Sequence, residues 1–306
     1  MIQFIDQHRD RFTIEFMCTT LKNNREGGFI TSRGYRQLKA RGISARSLRD
    51  TALVERIRKV HAENYSVYGV RKMWHALHRQ GVEIGREQTA RLMRLAGVSG
   101  KGKGAAPVTT RKPKRPDLRP DLVGREFNAP GPNRLWVADI TYVRTRKGFV
   151  YTAFVTDVFS RRIVGWALSD SMRTEALPLQ ALNQAIVSAK ETAGLVHHSD
   201  HGSQYVSIVY NERLAEHGIV ASTGSVGGSY DNALAENVNG SYKNELIHTR
   251  IWNDVVDVEI ATFEWVNWWN DSRLHQSLGY RTPADVEAEI WSRHPAQEII
   301  EIKANA

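Results

Sequence analysis

Three apolar runs rich in β-branched and aromatic residues lie close together in mid-chain, and they constrain the fold more than any other feature. They cover residues 136–143, 149–158 and 162–168, with only short polar turns between them. Such runs, bounded by turn residues, are typical of buried strands. The short connections favour antiparallel neighbours. The pattern therefore predicts three consecutive strands that form an antiparallel meander.

A helix and a fourth strand are predicted after the meander. Residues 174–191 carry apolar side chains near helical spacing, Gly194 provides a stop, and residues 195–198 are predicted to form a short strand. The result is a sheet accompanied by helices. Asp200 falls just beyond the carboxyl end of the fourth strand, which is a common location for active-site residues in α/β sheets.

Three carboxylates occupy positions from which a metal site can be built. Asp139 lies in the first predicted strand, Asp200 follows the fourth, and Glu236 lies in a helix predicted over residues 233–247. Mg²⁺ prefers oxygen ligands, and phosphoryl-transfer sites usually hold it with one or two carboxylates plus substrate phosphate oxygens. We therefore expect these side chains to converge. Lys243 shares a helical face with Glu236 and is placed to hold a substrate phosphate.

Neighbouring residues have competing interpretations. A single aspartate at a strand end is usually a turn or cap residue. Asp157 ends a strand but precedes a turn, and Asp231 is expected to cap the helix that carries Glu236. Three histidines surround Asp200 without a cysteine or the spacing of a structural zinc site, namely His197, His198 and His201. Two interpretations stay open for them: positioning or contacting substrate, and ordinary packing.

Charge is divided unevenly along the 306 residues. Residues 1–130 hold 27 Lys and Arg against 12 Asp and Glu, whereas residues 131–306 hold 15 against 21. The net charge is therefore +15 in the first part and −6 in the second. Cations that neutralise phosphates supply sequence-independent affinity for nucleic acid. The first part is the predicted polyanion-binding half, although a basic run can also be a solvated face.

Cysteine content and hydropathy bear on the compartment. The single cysteine, Cys18, excludes an internal disulfide and suits a reducing environment. The first residues lack the apolar stretch of a signal peptide, and no run reaches the length of a membrane span. We expect a cytoplasmic protein.

The basic half contains three predicted short helices, over residues 53–63, 70–79 and 86–95. Their spacing fits a compact helix-turn-helix. Gly85 is a weaker N-cap than Ser, so the third helix is expected to begin less firmly. Three basic residues on that helix are the predicted DNA contacts, namely Arg86, Arg91 and Arg94. Structural packing of the three helices alone is the open alternative.

Composition divides the chain further. Residues 99–124 are rich in Gly, Pro, Lys and Arg, which predicts a basic linker. The predicted organisation has five parts: an amino-terminal lead-in over 1–50, a helix-turn-helix over 51–98, the linker over 99–124, a catalytic core over 125–290 and a tail over 291–306.

Particular phrases carry a family resemblance. The segment from about 125 to 290 resembles the retroviral-integrase-like catalytic core. WVADIT, HSDHGSQY, GSYDNALAEN and RLHQSLGYRTPADV are similar to phrases in the second-frame product of the IS-three family of insertion-sequence transposases. In the basic half, YGVRKMWHAL and ARLMRLAGV resemble the small helical domain that precedes that core.

The resemblance implies a fold and a set of catalytic residues. It implies an α/β, ribonuclease-H-like mixed sheet flanked by helices and preceded by a small all-α helix-turn-helix domain. The catalytic, metal-binding triad of the family carries over to Asp139, Asp200 and Glu236, and its basic residue to Lys243.

The same resemblance implies an activity and partners. The activity is DNA cleavage and strand transfer with two Mg²⁺ ions, for which Mn²⁺ substitutes. The expected partners are the ends of an insertion sequence, target DNA, further copies of the chain on DNA, and a first-frame protein joined by frameshifting. Two rival functions are a regulatory DNA-binding protein with an inactive site and a nuclease that cuts without joining.

Overall fold

The computed structural model describes residues 1–42, 44–102, 120–124, 126–171, 177–189, 191–200, 202–224 and 232–293. The chain divides into two compact units, Met1–Arg58 and Lys59–Ala306. Within the described residues, none of the helices combines the length and apolar character needed to cross a membrane.

The first unit is helical. It contains α1 (Ile2–His8), α2 (Ile14–Asn24), α3 (Ser32–Arg41) and the start of α4 (Ala45–Glu63). Thr13 and Thr31 cap α2 and α3, because their hydroxyl oxygens accept the N–H groups of Phe16 and Gly34. A small core holds these helices together, and its buried members are Ile5, Met17, Cys18 and Tyr35.

Two of the three predicted helices of the basic half are confirmed almost to the residue. They are α5 (Val70–Arg79) and α6 (Arg86–Ala96), whereas the first predicted helix is the carboxyl-terminal part of the longer α4. As expected from Gly85, no side chain caps α6. The helix ends at Gly97 in the left-handed conformation with φ 71°, which favours glycine.

Within the described residues, five strands form one mixed sheet in the order β3-β2-β1-β4-β5. The strands are β1 (Leu135–Thr145), β2 (Gly148–Asp157), β3 (Ile163–Ser169), β4 (Val196–Ser199) and β5 (Val220–Thr223). The predicted meander is confirmed, since β1, β2 and β3 pair antiparallel. The pairings β1–β4 and β4–β5 are parallel.

Helices cover both faces of the sheet. On one face, α7 (Pro178–Ala189) and α8 (Ile208–Glu216) pack on Trp136, Ala138 and Val155. Gly165 allows the close approach of α7, because a Cβ there would lie 2.1 Å from the Ala181 carbonyl oxygen. On the other face, α9 (Ala233–Glu245) packs on Leu135 and Val137 through Ala235. The alternation of β1 residues between the two faces is that of a regular strand.

The chain after α9 continues through a 3₁₀ turn (Ile247–Thr249), α10 (Val255–Asp271) and α11 (Pro283–Arg293). The tryptophans of α10 are core residues. Trp265, Trp268 and Trp269 are all buried.

Three contacts join the α4–α6 region to the segment around α11, and we call them the clasp. Leu274 N–H donates to Tyr68 Oη at 2.8 Å, and the rings of His75 and Tyr280 stack with centroids 4.0 Å apart. The Arg79 guanidinium donates to both carboxylate oxygens of Asp285, at 2.7 and 3.1 Å. The clasp therefore combines apolar stacking with a bidentate, charge-assisted pair.

Candidate active site

Strand register brings two of the predicted carboxylates together. In the parallel pairing of β1 with β4, Ala138 lies opposite Ser199, so the next residues along the two strands are Asp139 and Asp200. Neighbouring strands lie roughly 4.8 Å apart. Asp200 directly follows the carboxyl end of β4, as predicted.

Helix α9 adds the third carboxylate from above the sheet. Asn232, at the start of α9, donates its amide to the Ala138 carbonyl at 2.9 Å, and Asn239 donates to Asp139 Oδ2 at 2.9 Å. Glu236 precedes Asn239 by three residues and Lys243 follows it by four, so all three side chains share one helical face. This face is directed at Asp139, near the middle of β1.

Backbone and side-chain donors orient the two aspartates. Ile140 N–H donates to Asp139 Oδ1 at 2.8 Å, while Asn239 holds Oδ2. Gly202 N–H donates to Asp200 Oδ1 at 2.9 Å. A Cβ at Gly202 would lie 2.9 Å from the same oxygen, so the carboxylate position requires glycine there.

The electrostatics show that the carboxylates repel one another. Desolvation, reinforced by the charges of Asp200 and then Glu236, raises the pKa of Asp139 to about 7. Desolvation and the Asp200 charge raise the pKa of Glu236. Lys243 is half-buried, and desolvation lowers its pKa although the Asp139 charge acts in the opposite direction. A divalent cation would relieve this repulsion.

The donor chemistry fits a hard cation, but the arrangement is incomplete. Besides the carboxylates, the site contains one neutral oxygen that could bind a hard cation. This is the buried Oδ1 of Asn239, which accepts no hydrogen bond from the described residues. Within those same residues, however, no three His, Cys, Asp or Glu side chains are arranged to hold a metal ion as they stand. Glu236 is exposed on the first turn of α9, whereas Asp139 and Asp200 are partly buried. The two aspartates are therefore the enclosed part of the site, and Glu236 is its exposed part.

The rival residues have structural roles. Asp157 is buried and caps the turn after β2, since it accepts the N–H groups of Ser160 at 2.7 Å and Asn133 at 2.8 Å. His197 and His198 are buried and hydrogen-bond at 3.0 Å to the Tyr210 hydroxyl and to Ser222 Oγ, respectively. The packing interpretation thus holds for these two histidines. Asp231 and His201 lie outside the described residues.

The predicted DNA contacts lie on α6. Arg86 and Arg94 are exposed and Arg91 is half-buried, so the exposed pair lies on the solvent side of the helix. Their role in binding DNA stays a prediction.

Sequence reasoning missed the asparagines at this site. Asn239 and Asn232 fix Asp139 and its strand to α9. The available signal was the three-residue spacing from Glu236, which places Asn239 on the carboxylate-bearing face.

Comparisons with known proteins agree with this architecture. The Integrase core domain family matches residues 129–229 and, through a second family of the same description, residues 217–283; an HTH-like domain family matches residues 47–105. The fold and these matches define a polynucleotidyl transferase of the transposase and integrase class.

Relatives make the class specific. The putative transposase for insertion sequence element IS986/IS6110 of Mycobacterium tuberculosis (strain CDC 1551 / Oshkosh) is 49% identical over 82% of this chain and 92% of its own length. The transposase for insertion sequence element IS629 of Shigella sonnei is 48% identical over 81% of this chain and 83% of its own. The IS904 transposase of Lactococcus lactis is 33% identical over 77% and 93%, respectively. The chain belongs to the insertion-sequence transposases of the IS-three family.

Proposed function

We propose that Asp139, Asp200 and Glu236 are the catalytic, metal-binding carboxylates with which this transposase cuts and joins DNA. The observation that carries the proposal is the β1–β4 register, which places the two aspartates side by side beneath the face of α9 that bears Glu236. The raised pKa of Asp139 supports it, because the chain keeps a carboxylate where its charge is disfavoured. Such a group is typical of a functional site.

Each residue has a distinct part in this mechanism. Asp139 and Asp200 provide the first oxygen ligands, held in place by Ile140, Asn239 and Gly202. Glu236 completes the set when metal and DNA bind, because it lies on an exposed first turn with a longer side chain.

Lys243 holds a phosphate oxygen of the strand next to the carboxylates. Its side chain lies over the Tyr142 ring, with the Nζ atom 4.5 Å from the centroid, and the negative charge of Asp139 acts to raise its pKa. A cation there offsets negative charge that develops on the reacting phosphate.

The carboxylates would hold two Mg²⁺ ions, for which Mn²⁺ could substitute. These ions would activate water or the freed 3′-hydroxyl and would neutralise charge on the leaving oxygen. The chain's own residues contribute binding and orientation, and the aspartates are positioned by hydrogen bonds before any ion arrives. No covalent protein intermediate is required, because the attacking oxygen comes from water or DNA.

The partners follow from the same proposal. The DNA comprises the insertion-sequence ends and the target, contacted in part by Arg86, Arg91 and Arg94 on α6. Further copies of the chain assemble on this DNA, and a first-frame protein joins it by frameshifting. The five-part organisation predicted from composition, with its linker over 99–124, is retained as part of the proposal.

The test replaces each carboxylate by its amide. Asp139→Asn, Asp200→Asn and Glu236→Gln should each abolish cleavage and joining with Mg²⁺, while affinity for the element's end in chelator stays near that of wild type. Asp157→Asn is the matched control, because Asp157 is also a strand aspartate but caps a turn. Strand transfer at a normal rate by any one of the three variants would remove that residue from the site. Cleavage without joining by wild type would favour a nuclease.

A further inference from the structure

The α4–α6 region is attached to the rest of the second unit, Lys59–Ala306, at two places. One is the clasp, which joins α5 and the residue before it, Tyr68, to the segment 274–285. The other follows α6. There Lys101 donates its ammonium group to the Asn244 carbonyl at 2.5 Å, and the Asn244 amide donates to the Gly102 carbonyl at 3.3 Å. The α4–α6 region is therefore held both before and after α6.

A buried tryptophan adds an attachment beside the clasp. Trp268 of α10 donates its indole N–H to Asn64 Oδ1 at 3.0 Å, and its ring centroid lies 4.7 Å from that of Tyr65. Trp268 is buried. Burial of its large apolar surface stabilises this contact in addition to the polar contacts of the clasp. The α4–α6 region is thus packed against α10 and not merely tethered to it.

Helix α11 connects the clasp to the sheet. Asp285 and Thr282 form a capping box, in which Asp285 N–H donates to Thr282 Oγ1 at 3.1 Å and Thr282 N–H donates to Asp285 Oδ2 at 2.9 Å. The Asp285 carboxylate is therefore held in place independently of the clasp. Two residues later, Glu287 Oε1 accepts the Ser160 hydroxyl at 2.9 Å, in the turn after β2. Because β2 pairs with β1, the position of α5 is linked to the strand that carries Asp139.

The attachment after α6 reaches the other element that bears a carboxylate. Asn244 belongs to α9, the helix on which Glu236 lies, and the hydrogen bond from Asn239 to Asp139 fixes α9 over β1. Relative motion is the default for domains joined by small polar interfaces, whereas two separate attachments with a buried aromatic contact oppose it. The α4–α6 region is therefore held against both the sheet and α9.

Helix α6 takes no part in the clasp, and its basic side stays at the surface. Thr89, Leu92 and Met93 are buried, and α6 packs against α5. Arg86 and Arg94, two of the predicted DNA contacts, are exposed. The clasp acts on α5, so its effect on α6 passes through this packing. The helix that is proposed to contact DNA is thus held at a fixed place relative to the carboxylates.

We propose that Arg79 and Tyr280 are positioning residues of the transposase: by closing the clasp they set the number of base pairs between the sequence bound by α6 and the phosphodiester that is cut. This assignment rests on the proposed DNA contacts of α6 and on the proposed carboxylate site. One base pair corresponds to about 3.4 Å along the duplex. Because a misplacement of about 1 Å can lower a rate about 100-fold, a core held rigidly to α6 should not accommodate an extra base pair.

The first experiment measures how strictly this spacing is kept. Full-length protein, in excess and with Mg²⁺, cleaves two duplexes that carry the element's own end. One is native, and the other has one base pair inserted between the cut and the segment that the protein protects from nuclease. The readout is the native rate divided by the rate on the lengthened duplex, in which changes of overall activity cancel. We expect a ratio of about 100 for wild type, falling to about 10 or less for Arg79→Ala and for Tyr280→Ala.

Two variants serve as controls. Tyr280→Phe keeps the ring that stacks on His75 and should keep the wild-type ratio. Arg250→Ala removes an arginine of similar exposure, whose ion pair with Asp257 at 2.9 Å lies outside the clasp, and should also keep that ratio. Equal rates of wild type on the two duplexes, an unchanged ratio in either Arg79→Ala or Tyr280→Ala, or an equal fall in Arg250→Ala would overturn the proposal.

The second experiment tests the clasp itself without DNA. Spin labels at Glu87→Cys on α6 and Glu259→Cys on α10, both exposed positions, report the separation of the two helices in a Cys18→Ser background. The distance distribution should be narrow with the clasp intact and broader in the Arg79→Ala/Tyr280→Ala variant. An equally narrow distribution in that variant would overturn the proposal, because the clasp would not be what holds α6.

Failure of the proposed function would be recognised separately. A wrong carboxylate assignment would appear as activity of the amide variants, and a wrong assignment of α6 as an unchanged nuclease footprint of the Arg86→Gln/Arg94→Gln variant. A broadened distance distribution together with a wild-type spacing ratio would refute the positioning role alone.

Discussion

Removing the Asp139 charge should stabilise the protein while it abolishes activity. Desolvation and neighbouring carboxylates raise the pKa of Asp139 from 3.8 to about 7. At about 1.4 kcal/mol for each pKa unit, ionised Asp139 lowers the free energy of unfolding by roughly 4 kcal/mol as an upper bound. Asn keeps the shape without the charge, but it loses one acceptor, which costs on the order of 1 kcal/mol. We therefore expect Asp139→Asn to gain about 1–3 kcal/mol at pH 8 in chelator.

The sign of the pH dependence follows from the same shift. The folded protein binds the Asp139 proton more tightly than the unfolded chain, whose carboxyl has a pKa of about 4. Stability of wild type should therefore fall as pH rises from about 4 to about 7, and then level off. At pH 5 most folded molecules are protonated at Asp139, so the advantage of the variant should largely disappear.

Urea unfolding in chelator at pH 5 and pH 8, followed by tryptophan fluorescence, measures both effects. Asp157→Asn serves as the opposite case, because Asp157 accepts three hydrogen bonds and its replacement should destabilise the fold by about 1–3 kcal/mol. The reasoning would be refuted if Asp139→Asn were less stable than wild type at pH 8, or if its advantage did not change with pH.

Three further predictions concern the same region. Mn²⁺ should raise the melting temperature of wild type relative to chelator, and Asp200→Asn should lose that response; an equal response in both would mean that the ions bind elsewhere. Gly202→Ala should lower the cleavage rate at least about tenfold without preventing folding. The new Cβ would lie only 2.9 Å from Asp200 Oδ1 and would therefore push the carboxylate out of position; an unchanged rate with Mg²⁺ would contradict this. Glu245→Gln should lower the free energy of unfolding by about 3–5 kcal/mol in urea, since it leaves Arg273 buried without its counter-charge, and a neutral effect would show that Arg273 finds another partner.

The meander, including the strand that carries Asp139, was predictable because its signals are local. Residues 136–168 alternate or cluster apolar side chains as buried strands do, and β1 to β3 follow that pattern within one or two residues. Asp139 and Asp200 were placed relative to their own strands. Their proximity depends on the parallel β1–β4 pairing, which joins residues 61 positions apart and therefore leaves no local signal in the sequence.

Other features were hidden for physical reasons. Strand β5 and helix α8 are short, and β5 gains its stability from pairing with β4, so its four residues carry little signal alone. The helices of residues 1–50 are rich in charge and have a small core, which blurs their periodicity. Arg273 and His275 carry no local signal of burial, yet both are buried, and desolvation lowers the pKa of His275 to about 2. Only tertiary contacts with Glu245 and Trp269 reveal that role.

The clasp bears on how such a transposase can be re-engineered. A chimera that exchanges only α5 and α6 for those of a relative would keep the host's Tyr280 and Asp285, and these would keep their partners only if the relative also has the His75 ring and the Arg79 guanidinium. The boundary of a transferable module is therefore set by these partners and not by the basic linker. A graft of α5 and α6 from a donor must therefore carry the residues around 274–285 with it, so that the grafted helices keep the contacts of the clasp.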